Sequence, residues 1–206
     1  MTPATPLSTA FDRGEAPLVD ERELVEGVLS RMATDLSMII DREFQVEDIT
    51  VERRTQRPVG TGSVHISFKF GIELGGSSWQ GCLLVPLPEA VTMAGFMMML
   101  TDEAVERERA RTELDGPFKG ALLEVGKFLA GACDGVLRRV LSEECSTRSE
   151  GCQGVRADIR PAMDYVEGTP LLVGRARACL HEFEPFELIL VLPDPGRIAR
   201  EEVLSV

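Results

Sequence analysis

The stretch Gly81-Cys82-Leu83-Leu84-Val85-Pro86-Leu87-Pro88 reads as a buried strand running into a proline-led helix. It returns near the far end of the chain as Ile189-Leu190-Val191-Leu192-Pro193, again apolar and again closed by proline. What precedes each copy also repeats. Upstream of the first, Leu24, Val25, Val28, Leu29, Met32 and Leu36 recur at helical spacing within Glu21 to Asp41, and Asp20 with Glu23 has the form of a capping box. Upstream of the second, a long helix is predicted from Pro117 to Leu141. Strand-like runs lie between helix and copy in both halves. In the first half they are Phe44 to Thr55, which alternates with one break in phase, and Ser63 to Leu74, followed by Trp79 to Val85 as the third strand. In the second half they are Val155 to Val166, Leu171 to His181 and Phe186 to Leu192, after a polar loop from Ser142 to Gly151.

A repeat of this kind predicts an α/β chain in the broad, α+β sense: pseudo-duplicated units of one helix plus three strands, with a largely antiparallel sheet. We expect one domain over 19–206, with pseudo-repeats at about 20–100 and 117–200 joined by the charge-dense connector Thr101 to Asp115, and a disordered arm over 1–18. Pro88 opens a short helix, Glu89 to Leu100, and a short helical tail ends the second half. Between Ser63 and Leu74 the apolar face is Val64, Ile66, Phe68, Phe70, Ile72 and Leu74. Ser63, His65, Ser67, Lys69 and Glu73 form a wet face. Leu171 to His181 carries Arg175 and Arg177 on one face, and we expect an edge strand whose charges discourage aggregation.

Composition excludes several function classes. The 206 residues carry a formal charge of −12, which disfavours contact with nucleic acid or an anionic membrane. No apolar run approaches the roughly 20 residues of a membrane span, and the first residues lack the apolar core of a signal peptide. Five cysteines at irregular spacing predict reduced thiols in the cytoplasm. The two histidines, His65 and His181, stand on different strands and form no metal-ligand spacing, so neither metal nor cofactor is expected. There is no P-loop, dinucleotide fingerprint or nucleophile elbow. Met98 and Met99 diverge from the core face of Met93, Phe96, Met97 and Leu100, and mark a candidate homodimer contact.

The second long helix carries the functional signal. At 100° per residue, Phe118, Ala121, Leu122, Val125, Phe128, Leu129, Ala132, Cys133, Val136 and Val140 share one broad face, which is the expected core. Gly120, Glu124, Lys127, Gly131, Asp134 and Arg138 form a narrow stripe opposite. Glycine inside a helix costs about 1 kcal/mol relative to alanine, and close approach of another molecule would offset it. Ordinary helix-surface pairing explains the charges equally well, with Glu124–Lys127 at i,i+3 and Asp134–Arg138 at i,i+4.

The run Glu124-Val125-Gly126-Lys127-Phe128-Leu129-Ala130-Gly131 resembles the signature helix of the CheC/CheX/FliY chemotaxis phosphatase family. The helix-plus-three-strand repeat and the Met-rich helix after Gly81 are similar to that family as well. The resemblance covers most of Asp20 to Leu192. It implies a partner, the phosphorylated receiver domain of a CheY-like response regulator. In the family, a Glu pairs with the receiver's lysine, and an Asn three residues on orients a water in line with the aspartyl phosphate. An amide suits that task because it donates and accepts hydrogen bonds at once. The resemblance places the Glu at Glu124.

Two positions depart from the pattern. Gly120 stands where the family has an acidic or Ser residue, and Lys127 stands where it has Asn. An ammonium has donors only and cannot accept a proton from an attacking water. The chain contains no asparagine at all, and in the first helix Glu23 and Glu26 lack an amide three residues on. The resemblance therefore implies a CheX-like protein that binds a receiver through Gly120, Glu124, Lys127, Gly131 and Asp134 without efficient phosphatase activity. Two alternatives stay open: a structural interaction module of a chemotaxis or flagellar-switch complex, and an active aspartyl-phosphate phosphatase using Glu124 with some other amide.

Overall fold

The computed structural model describes residues 20–196. The expected arm and the end of the helical tail lie outside them. In chain order the elements are α1 (Glu21–Ile40), β1 (Phe44–Arg54), β2 (His65–Leu74), β3 (Ser77–Pro86), α2 (Leu87–Met97), α3 (Asp102–Glu108), α4 (Gly116–Val140), β4 (Ser146–Val155), β5 (Leu171–Leu180) and β6 (Phe186–Pro193). The six strands form one sheet in the order β1-β5-β6-β3-β2-β4, with antiparallel neighbours throughout. This is the predicted α+β architecture of two helix-plus-three-strand units.

The halves are interleaved. β1 leaves the first half to pair with β5, and β4 leaves the second to pair with β2. They meet at a short central seam where Leu83 faces Leu190. Three residues further along each strand stand Pro86 and Pro193, so the seam pairs equivalent residues of the two halves and marks a pseudo-twofold axis. Phe68 pairs with Leu83 in one half and Gly174 with Leu190 in the other, which makes Phe68 and Gly174 equivalent.

The two long helices settle on these two strand positions by opposite choices. Over β2 the helix is pared down: a Cβ built on Gly126 would stand 3.3 Å from Phe68 Cδ1 and 3.2 Å from Ser149 Oγ. Over β5 the strand is pared down: a Cβ on Gly174 would fall inside the van der Waals shell of Val25 Cγ1. Large meets small in both places, the pairing that keeps an interior at crystal-like density. α1 and α4 thus cover one face of the sheet, and Leu24, Val28, Leu29, Met32, Phe70, Leu122, Val125 and Leu129 are buried between them and the strands.

Several expectations are corrected. The polar stretch Ser142–Gly151 is mostly strand: β4 begins at Ser146 and runs to Val155. As an edge strand with glycines at 151 and 154, β4 lacks the apolar alternation that sequence reading looks for. Conversely, Val155–Val166 alternates without being a strand. Beyond Val155 it crosses the outer face of the sheet as an irregular strap, and Met163 and Tyr165 cover Cys82, Leu84, Leu171, Val173, Ile189 and Val191. The Tyr165 hydroxyl reaches the carbonyl of Thr55, and Arg57 Nη1 donates to the carbonyl of Pro161 at 2.8 Å. His65 and Ser67, expected on a wet face, are buried.

β5 is no edge strand either, since it lies between β1 and β6. Its Arg175 pairs with Glu187 (2.9 Å) and Arg177 with Asp48 (3.8 Å) across those neighbours. The break in phase within β1 is a bulge between Glu47 and Thr50, with Asp48 at φ 51°. α2 ends at Met97, short of the predicted Leu100, with Met98 as its C-cap. Met99 follows with φ 60° and is 92% exposed, while Met93 and Phe96 are buried as expected.

The complementarity of Val25 and Gly174 is testable. Gly174→Ala is expected to destabilise the fold by about 1–3 kcal/mol through overpacking, read as a shift in the urea midpoint. In a Val25→Ala background the same substitution should cost much less, because the atom it strikes is gone. Equal penalties in the two backgrounds would refute the contact.

Candidate functional site: the outer face of α4

α4 starts at a well-made cap. Asp115 accepts from the Phe118 backbone N–H at 3.1 Å, and Pro117 lies in the first turn. That hydrogen bond, with the Arg111 guanidinium 3.2 Å away, holds the Asp115 carboxyl below its usual range. Further along, Phe118, Leu122, Val125, Leu129, Cys133 and Val136 face inward. Asp134 Oδ1 accepts from the Thr147 backbone N–H at 2.6 Å, which ties the helix to the start of β4. Asp134 also stands 3.8 Å from Arg138. It is therefore partly withdrawn from the stripe into the protein's own structure.

The rest of the stripe faces outward. Gly120, Glu124, Lys127, Gly131 and Arg138 are all exposed. Lys127 Nζ donates to Glu124 Oε1 at 2.7 Å, with side-chain exposures of 64% and 53%. A Cβ built on Gly120 or Gly131 would meet nothing within 4 Å, so these glycines leave the surface bare on either side of the ion pair. Gly126, by contrast, is accounted for by Phe68.

Phe128 is corrected from core to surface. It is 40% exposed, and Leu123, on the opposite flank of the pair, is 44% exposed. Phe128 lies at the border of the apolar arc, 40° from Glu124 on the helical wheel. Periodicity alone assigns it inward; the actual packing leaves its outer edge in water.

The described residues outside α4 add no catalytic centre. No group of three or more His, Cys, Asp or Glu residues among them could hold a metal ion. His65 lies against Gly60 with Nδ1 2.9 Å from the Ser63 carbonyl, and His181 packs edge-on to Phe96 with Nε2 3.6 Å from Asp102. The five cysteines are free thiols. Burial pushes the Cys82 thiol up to about 12 and raises that of Cys133 as well, so neither is a nucleophile at neutral pH. A cavity of about 410 Å³ on the outer sheet face is lined by Asp48, Arg175, Arg177 and Phe186, and no α4 residue lines it. No described helix is long and apolar enough to cross a membrane. The exposed part of α4 is thus a ridge of acid, base and glycine flanked by two apolar side chains, which suits docking rather than enclosure of a small molecule.

No protein-family model matches the chain, and no curated protein sequence matches it. Its fold is that of the CheC/CheX/FliY proteins. It superposes on FliY from Thermotoga maritima with a TM-score of 0.65 at 14% identity, over 93% of this chain and 100% of that one. The FliM middle domain from H. pylori gives 0.59 at 11% identity, over 87% and 94%. The chemotaxis protein CheX from Desulfovibrio desulfuricans gives 0.53 at 12%, over 82% and 99%. FliM from H. pylori is also known in complexes with FliG and with SpeE.

Two expectations concern the helix itself. Glu124→Ala and Lys127→Ala should fold normally and shift stability by no more than about 0.5 kcal/mol, since an exposed i,i+3 pair contributes a few tenths; a larger loss would mean the pair has a structural role. Asp115→Ala should lower the unfolding midpoint at pH 7. The folded carboxyl titrates below its unfolded value, so its contribution is present above the unfolded pKa and fades as pH falls through the folded one. The gap between the two proteins should therefore close in strong acid.

Proposed function

We propose that the chain is a CheX-like signalling protein that binds a CheY-like receiver domain, in the cytoplasm, through the outer face of α4, and that it does not efficiently hydrolyse the receiver's aspartyl phosphate. The observation that carries the reading is the exposure of Glu124 and Lys127 on a ridge bared by Gly120 and Gly131. Glu124 is free to exchange its Lys127 partner for a cation of another protein at little cost, because an exposed pair is weak.

Lys127 decides against catalysis. Hydrolysis of an acyl phosphate needs an in-line water held by a group that can also accept a hydrogen bond. An ammonium only donates, yet it can neutralise phosphoryl oxygens as a point charge. The chemistry at this position favours retention of a phosphorylated partner over its turnover.

A second reading is a structural module of a chemotaxis or flagellar-switch complex, with no receiver contact. The fold shared with FliM, a protein that forms complexes with FliG and SpeE, favours it. An active phosphatase would require an amide near Glu124 that the chain lacks as asparagine.

The test is a binding assay against phosphorylated and unphosphorylated CheY-like receivers, paired with a phosphate-release assay. We expect preference for the phosphorylated form, weakening by Glu124→Ala, and no acceleration of dephosphorylation. Lys127→Asn should raise the dephosphorylation rate above that of the parent. Equal binding to both forms with Glu124→Ala unchanged would defeat receiver recognition. Robust hydrolysis that survives Lys127→Ala would overturn the assignment of Lys127.

A further inference from the structure

The duplicated fold provides an internal control for the α4 surface. Val25 stands over Gly174 as Gly126 stands over Phe68, so the two helices can be laid on each other with Val25 at Gly126. Burial agrees with that register: Leu24 and Val125, Val28 and Leu129, Leu29 and Ala130, Met32 and Cys133, and Leu36 and Leu137 are all buried. Glu23 then falls at the position of Glu124, and Glu26 at that of Lys127. The two helices therefore present carboxylates at the same place on the fold.

The flanks differ. Where α4 has Leu123, α1 has Arg22, whose side chain is 66% exposed and engages Glu26 at 2.7 Å. Where α4 has Phe128, α1 has Gly27, and a Cβ built on Gly27 would already stand 3.3 Å from Val136 Cγ1. The α1 position thus has no room for an aromatic side chain. Only α4 couples its acid to two partly exposed apolar groups. Surface ion pairs contribute little to affinity, whereas a desolvated aromatic anchor ranks among the few residues that carry most of an interface's binding energy.

From this asymmetry we infer that Phe128, with Leu123, anchors the receiver on α4, and that α1 offers no second site, so one receiver binds per chain. The inference rests on the function proposed above. The Glu124–Lys127 pair orients the partner and the apolar flanks hold it. A second copy of this chain is the less favoured occupant, since each copy carries a net charge of −12 and like charges oppose association.

The experiment is titration calorimetry of the full chain with a purified CheY-like receiver held in its phosphorylated form by beryllofluoride, alongside sedimentation of the chain alone. The expected stoichiometry is one receiver per chain. Phe128→Ala should weaken binding at least tenfold and Leu123→Ala at least threefold. Phe128→Leu, which keeps an apolar group, and Arg22→Ala on α1 should stay within threefold of the parent. Circular dichroism and the urea midpoint show whether each variant folds; a misfolded Phe128→Ala leaves the outcome with Leu123→Ala and with stoichiometry. Two receivers per chain, or parent-like binding by both alanine variants, overturns the inference while leaving receiver binding intact. No binding by the parent chain removes both. Self-association abolished by Phe128→Ala would assign the face to a second copy and overturn the proposal.

Discussion

The fold turns on the short antiparallel seam between β3 and β6, where Leu83 faces Leu190. Each half of the chain supplies a helix and three strands, and neither half keeps its own first strand as a neighbour. With β1 given to β5 and β4 to β2, the halves cannot part without breaking ladders on both flanks of the sheet. The exchange carries a loop-closure cost and gives a single core that runs under both long helices. Everything that positions the candidate site descends from this exchange, because it places α1 and α4 side by side and turns one edge of each to solvent.

The helix–sheet contacts show how a duplicated fold tolerates unequal halves. Phe68 and Gly174 occupy equivalent strand positions, and Gly126 and Val25 equivalent helix positions; volume is conserved across each contact rather than at each residue. This is what a close-packed interior demands. It also frees the outer surfaces to diverge. Glu23 and Glu26 on α1 are ordinary solvated charges, with Glu26 held by Arg22. Glu124 and Lys127 on α4 sit between bare glycine and partly exposed Leu123 and Phe128. The same backbone thus carries one plain face and one face suited to a partner.

On the proposed receiver-binding reading, Lys127 is the residue that would separate recognition from turnover. A donor-only cation and a carboxylate can meet complementary charges on another protein, while holding a water for in-line attack needs an acceptor too. The glutamines at 80 and 153 lie on β3 and β4 rather than on α4, and Gln80 is engaged with Glu150 and with the Asp164 backbone.

How much could be read beforehand depends on where apolar side chains point. α1, α4, β2, β3 and the Leu–Val–Pro echo were legible because burial on one side imposes period 3.6 or 2 directly on the residues. The exposure of Glu124 and Lys127 followed from the same arithmetic. Tertiary structure alone decided that polar Ser146–Val155 is a strand and that alternating Val155–Val166 is a strap, since an edge strand under a helix needs few apolar residues and a covering segment can alternate without pairing. It alone buried His65 and Ser67, and it alone left Phe128 at the surface, because a helical wheel gives a direction but not how far the neighbouring element reaches.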